Sequence, residues 1–314
     1  MATAPRHLRN LLDLSPIETR RVVELARAIK REPASIAGAL AGKSIALIFA
    51  KQSTRTRVSF EVGIHQLGAQ ALVLGTGGGT GMQMGRGETI HDTAKVLSRY
   101  VDAIVIRTFA QREVDELAAH GSIPVVNALT DDFHPCQALA DLQTIAEHFG
   151  SCEGRTLTWV GAGNNVAHSL ALAGPRAGMH VVLCCPSSLP PDPNIWARAQ
   201  ADAREAGTRL ELVDRPREAV RGADVVYTDT WISMGEEAQA DRLRAELAAF
   251  TVDAALMDAA GPEAIFMHCL PAHRGEEVSD EVMDGPRSLV FDQAENRLHA
   301  QKALLALLLG ARSF

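Results

Sequence analysis

The sequence predicts an α/β protein made of two doubly wound parallel-sheet domains, with an active-site cleft between them. Three observations carry that expectation. A length of 314 residues exceeds what one average domain needs, and a 46% hydrophobic composition is enough to fill two cores. Short apolar runs alternate with helix-length periodic segments, the pattern of parallel strands joined by crossover helices. The alternation occurs twice, with a break at Gly150.

Taken in order, a helix over 16–30 opens the chain, and strands are expected at 44–49, 70–74, 102–106 and 123–126. A helical segment over 135–149 stands between the two series. The second series places strands at 156–160, 180–184, 210–213, 224–228, 264–268 and 288–291. The division expected is therefore a first domain over 1–134, a connecting helix over 135–149 and a second domain over 150–294. The last segment, 295–314, is helical over 295–309 and apolar on most faces; it is expected to pack back on the first domain, being too short to span a bilayer.

A net charge of −7 argues against a surface that binds nucleic acid through many phosphate contacts, so anion binding must be local. Neither a signal-peptide core nor an apolar run of about 18 residues is present, so no membrane association is expected and the cytoplasm is the expected compartment. The five cysteines, Cys136, Cys152, Cys184, Cys185 and Cys269, are odd in number and lack metal-type spacing; a disulfide framework and a zinc site are both disfavoured.

The motif around which the chain is arranged is Ser53-Thr54-Arg55-Thr56-Arg57, lying between an expected strand and an expected helix. A helix N-terminus offers unpaired N–H groups and the positive end of a dipole, so hydroxyls and guanidinium groups there suit a phosphate dianion. Two arginines two positions apart splay by about 200° on a helix, so Arg55 is assigned to the ligand and Arg57 to a pair with Glu61 one turn on. Alone, the pentapeptide reads equally as an N-cap with solvated arginines. The glycine-rich stretch from Gly75 to Gly81, leading to Gln83, reads equally as a linker or a lid.

Ligands of parallel α/β sheets bind outside the carboxyl ends of the strands. Arg107, His134-Pro135-Cys136-Gln137 and Cys269-Leu270-Pro271 all fall there, although locally a histidine before a helix is more often a cap, and a cysteine after a strand more often core. Asp229-Thr230-Trp231-Ile232-Ser233-Met234-Gly235 also follows a strand and suits an ammonium group beside a movable loop, or equally an ordinary turn. Gly161-Ala162-Gly163-Asn164-Asn165-Val166 invites a dinucleotide reading, but Val166 holds the third glycine position and no acid stands where the ribose-binding one belongs. The asparagines offer a site for a ligand carboxylate instead.

Together these pieces resemble the aspartate/ornithine carbamoyltransferase family. Five motifs stand in the family's order over nearly the whole chain: 53–57, Arg107, 134–137, Asp229 with 233–235, and His268-Cys269-Leu270-Pro271; Glu295-Asn296-Arg297 adds a sixth. The resemblance implies that Ser53, Thr54, Arg55, Thr56 and Arg107 hold the phosphate of carbamoyl phosphate. It implies that His134, Gln137, Arg297, Cys269 and Leu270 hold the carbamoyl group, and that Gln83 reaches a neighbouring subunit's site in a homotrimer. For the second substrate it implies Asn165, Asp229, Ser233 and Met234. Arg107, His134, Asp229 and Cys269 are implied as catalytic, with no metal and no organic cofactor. The Ser233-Met234-Gly235 sequence favours L-ornithine over aspartate, and putrescine or acetylornithine remain alternative acceptors. Ala50 and Ala162 depart from the family's usual residues at those positions.

Overall fold

The computed structural model describes residues 5–75, 84, 87–233, 235 and 237–310. By internal contacts the chain forms two compact units, Met1–Gln143 with Asn296–Phe314, and Thr144–Glu295.

The first unit opens with α1 (Pro16–Arg31), whose capping box joins Ser15 and Glu18 and whose first residue is a proline. Next come β1 (Ser44–Phe49), α2 (Thr54–Gln66), β2 (Gln70–Gly75), α3 (Ile90–Leu97), β3 (Ala103–Arg107), α4 (Gln111–His120) and β4 (Val125–Leu129). The four strands pair in the order β2-β1-β3-β4, all parallel. Ala46, Ile48, Ile104 and Ile106 face Val114 and Leu117 of α4 in a fully buried core. Helix α5 (Pro135–Phe149) leaves this unit.

The second unit contains β5 (Thr156–Val160), α6 (Asn165–Arg176), β6 (His180–Cys184), α7 (Pro193–Ala206), β7 (Leu210–Val213), α8 (Pro216–Ala219) and β8 (Val225–Thr228). Beyond β8 come α9 (Ala240–Leu247), α10 (Ala254–Ala260), β9 (Ile265–His268), α11 (Asp280–Met283) and α12 (Val290–Leu308). Its strands run β7-β6-β5-β8-β9, again all parallel. Both sheets thus have strand order reversing beside their first strand, the arrangement that puts ligand sites at strand carboxyl ends.

Three expectations shift. The strand expected at 123–126 lies at Val125–Leu129, because Pro124 has no N–H for the ladder and the polar Asn127 is accommodated by bonds to the Arg9 carbonyl, Gln111 and Thr130. No strand forms at 288–291. Ser288 makes a single bridge to Phe266, and from Val290 the buried side chains recur at 290, 293, 296 and 297, which is helical spacing. The final helix therefore begins five residues before the expected 295. Its later part packs on α2, where a Cβ at Gly63 would stand 3.2 Å from Lys302 Cγ.

Candidate active site

The cluster in the first unit is built at the carboxyl ends of β1 and β3. Ser53 is the N-cap of α2, its Oγ accepting from the Thr56 N–H at 3.1 Å. Thr54 and Arg55 on the first turn are exposed, whereas Thr56 is buried. Arg57 pairs with Glu61 at 2.6 Å, which takes it out of the ligand set as its spacing predicts. On β3 the register with β4 slips between Ile106 and Arg107, a bulge at the last strand residue. The buried Arg107 donates through Nη1 to Thr56 Oγ1 at 3.3 Å.

His134 stands immediately before Pro135, the first residue of α5, and is buried. Desolvation by that burial, with Arg297, Arg107 and Arg55 adding positive charge around it, holds its pKa well below the ordinary 6.5. It is thus a neutral imidazole at neutral pH, able to donate one N–H without carrying charge. One turn along, Gln137 accepts from Arg297 Nη1 at 2.8 Å and donates to Asp141 Oδ1 at 2.8 Å. Arg297 also donates through Nε to Gln301, and Gln301 in turn donates to Ser59 at 2.9 Å. Three guanidinium groups, an imidazole and an amide are gathered here from α2, β3, α5 and α12. Cys136, next to His134, is inert by comparison, since burial pushes its thiol up to about 12.

The cluster in the second unit gathers the ends of β5, β8 and β9. Asp229, directly after β8, accepts from the Thr230 N–H at 2.8 Å and from the Cys269 thiol at 2.9 Å through Oδ1, and from Asn164 Nδ2 at 3.2 Å through Oδ2. Asn164 is the N-cap of α6, its Oδ1 taking the N–H groups of Val166 and Ala167. Asn165, the residue assigned from sequence, opens the same helix, and Ser233 lies four residues past Asp229. Cys269 and Leu270, expected to serve the carbamoyl group, belong to this unit. Leu270 holds φ of +60°, a conformation costly for a branched side chain, and its N–H is fixed by donation to His268 Nδ1 at 2.8 Å.

Asp229, His268 and Cys269 each bring a potential metal-ligand atom within 4.8 Å of the others. The imidazole has no lone pair to spare, however: Nδ1 accepts from Leu270, and Nε2 faces buried Glu277 Oε1 at 3.2 Å. The turn after β9 is instead braced by Cys269 donating to Asp229 and by Leu270 donating to His268.

The glycine pair at 161 and 163 also has an internal explanation. A Cβ at Gly163 would lie 2.2 Å from Pro191 N and 2.4 Å from the Pro190 carbonyl carbon, so the chain's own backbone fills the space a pyrophosphate would need. Gln83, Met234 and most of the glycine-rich stretch lie outside the described residues.

Sequence reasoning passed over Asp141 and Gln301, and it read Asn164 as a site for a ligand carboxylate where the structure has it capping α6 and bonded to Asp229. Both are legible afterwards as neighbours of singled-out residues: Asp141 is four residues from Gln137 and Gln301 four from Arg297.

Comparison with known proteins matches residues 6–147 to the carbamoyl-P binding domain, and residues 153–308 to the Asp/Orn binding domain, of aspartate/ornithine carbamoyltransferase. An ornithine carbamoyltransferase from Symbiobacterium thermophilum is 55% identical, the match covering 96% of each chain. One from Mycolicibacterium paratuberculosis is 51% identical over 98% of this chain and 99% of its own. Among solved structures, the ornithine carbamoyltransferase from Pyrococcus furiosus superposes with a TM-score of 0.93 at 49% identity, covering 99% of both chains.

Proposed function

The chain belongs to the aspartate/ornithine carbamoyltransferase family, and we propose that it transfers the carbamoyl group of carbamoyl phosphate to the side-chain amine of L-ornithine, giving L-citrulline and phosphate. The observation that carries this reading is the set of guanidinium groups, Arg55, Arg107 and Arg297, around a neutral His134 in the first unit. A dianionic phosphate and a polar carbonyl group are what such a set binds.

On this reading Ser53, Thr54, Arg55, Thr56 and Arg107 bind phosphate. His134, Gln137 and Arg297, with Cys269 and Leu270, bind the carbamoyl group. Asn165, Asp229, Ser233 and Met234 bind ornithine. The acceptor amine must be neutral to attack, although an alkylammonium has a reference pKa of about 10.4. Asp229, whose carboxylate already accepts a hydrogen bond from the Cys269 thiol, holds the α-amino group, while the attacking amine lies by Cys269 and gives up its proton to the departing phosphate. Attack at the carbamoyl carbon creates an oxyanion. Arg107, His134 and Thr56 are the donors aimed at it, each worth about 3 kcal/mol by analogy with single oxyanion-hole donors. The C–O bond to phosphate then breaks and phosphate leaves, with no metal or organic cofactor in the scheme.

A carboxylate at 229 also argues for the acceptor, because it repels the second carboxylate of aspartate and attracts a diamino acid. A homotrimer in which Gln83 enters a neighbouring site, and a cytoplasmic location, complete the proposal. The test is colorimetric detection of a ureido product from carbamoyl phosphate with ornithine, aspartate, putrescine and acetylornithine in parallel. Product with ornithine alone is expected; product with another amine and none with ornithine overturns the assignment.

A further inference from the structure

The amide of Gln137 is held at both ends by groups that differ in kind. A guanidinium has donors only, so the atom 2.8 Å from Arg297 Nη1 is the carbonyl oxygen Oε1. The nitrogen Nε2 must then face Asp141, whose Oδ1 receives it at 2.8 Å. Asp141 is 0% exposed, Gln137 1% and Arg297 4%, so bulk water does not stand ready to satisfy a reversed amide. Gln137 and Asp141 lie one turn apart on α5, and Arg297 is itself steadied by Gln301 and, through it, by Ser59. A reversed amide would set N–H groups against the guanidinium and a carbonyl against the carboxylate.

The fixed orientation has a chemical consequence at the donor substrate. An amide oxygen carries two lone pairs, and Arg297 uses one. The other accepts from an N–H, which a carbamoyl group has and an acetyl group, with a methyl in the same place, does not. We propose that Asp141 is a positioning residue that fixes the Gln137 amide with its oxygen toward the carbamoyl amino group, and so sets the preference for carbamoyl over acetyl donors. This rests on the reading that carbamoyl phosphate binds this cluster.

The test compares D141L, which removes the acceptor at similar volume, with D141N, which can restore it through its own amide oxygen. Three constants are measured: KM for carbamoyl phosphate, and the competitive Ki values of acetyl phosphate and inorganic phosphate. D141L is expected to raise the carbamoyl phosphate KM about tenfold and D141N about threefold, the loss of one hydrogen bond and its partial rescue. Both Ki values should stay within about twofold, because neither acetyl phosphate nor phosphate uses the Gln137 oxygen. Parallel rises in all three constants would mean a merely structural residue and overturn the inference. Should D141L fail to fold, D141A, which also lacks the acceptor, takes its place, and a carbamoyl phosphate KM within about 1.5-fold of the parent's, too small a change for a lost hydrogen bond, overturns it. A parent protein that forms no ureido product defeats the proposed function itself, an outcome separate from an active parent indifferent to residue 141.

Discussion

Replacing Asp229 by asparagine removes one charge while keeping shape, and the hydrogen bonds around the carboxylate determine the outcome. It accepts three, from Thr230 N–H, the Cys269 thiol and Asn164 Nδ2. An asparagine turned with its nitrogen at the Oδ1 position faces two donors; turned the other way it faces Asn164 Nδ2. Asn164 cannot reverse to accommodate it, because its Oδ1 caps α6 through Val166 and Ala167. Either orientation loses a hydrogen bond and leaves a half-buried donor facing a donor, a stability loss of about 1–3 kcal/mol. The loss for the acceptor is that of a hydrogen bond to a charged group, about 1.5–3 kcal/mol, or roughly 10–150-fold in kcat/KM for ornithine. Steady-state kinetics with each substrate varied in turn, alongside urea unfolding, read both. Since the arginines assigned to phosphate lie in the other unit, KM for carbamoyl phosphate should change less than about threefold. An ornithine kcat/KM within about threefold of the parent's, or an equal loss for both substrates, would refute the reasoning.

Arg55→Ala should raise KM for carbamoyl phosphate by roughly 10–150-fold, the worth of charge-assisted bonds to phosphate, and leave KM for ornithine within about threefold in the same assay. His134 has a depressed pKa in the folded state, so its contribution to stability is complete above about pH 6.5 and declines as pH falls below that toward the folded-state value. The decline is at most about 1.4 kcal/mol per pH unit for one proton, and urea unfolding of H134N between about pH 5 and 8 should show a correspondingly flatter acid limb than the parent. Gly163→Ala must push a Cβ against the Pro190–Pro191 backbone, with atoms at 2.2 and 2.4 Å, and is expected to cost about 1–3 kcal/mol in thermal unfolding; an unchanged midpoint would contradict that packing.

Periodicity alone revealed much of this architecture. Strands such as 44–49 and 156–160 are buried on both faces and therefore read as continuous apolar runs, with the N-cap at Ser53 marking the following helix. What failed was local. Asn127 looks like a breaker until its three partners are seen, and Val290 begins a helix whose buried face is largely polar, with Gln293, Asn296 and Arg297 enclosed. Hydrophobicity cannot mark a face of that kind. Arg55, Arg107, His134, Asp229 and Cys269 drew their assigned roles from the resemblance and not from local pattern, whereas Asp141 and Gln301 drew none. Their significance comes from partners that are distant in sequence or hidden within a turn, and from orientation, which a string of letters does not carry.

The first unit is discontinuous, and this bears on how the protein is made. A ribosome that has released 143 residues has delivered every strand of the first sheet but not Asn296, Arg297 or Gln301. Lys30 and Gln143, which meet at Asn296, and Gln137, which meets Arg297, must wait until the second unit has been translated in full. The half assigned to the anion is therefore finished only after residues 296–301 have been made, so a nascent chain arrested before residue 296 lacks the partners that hold Lys30, Gln137 and Gln143 in place.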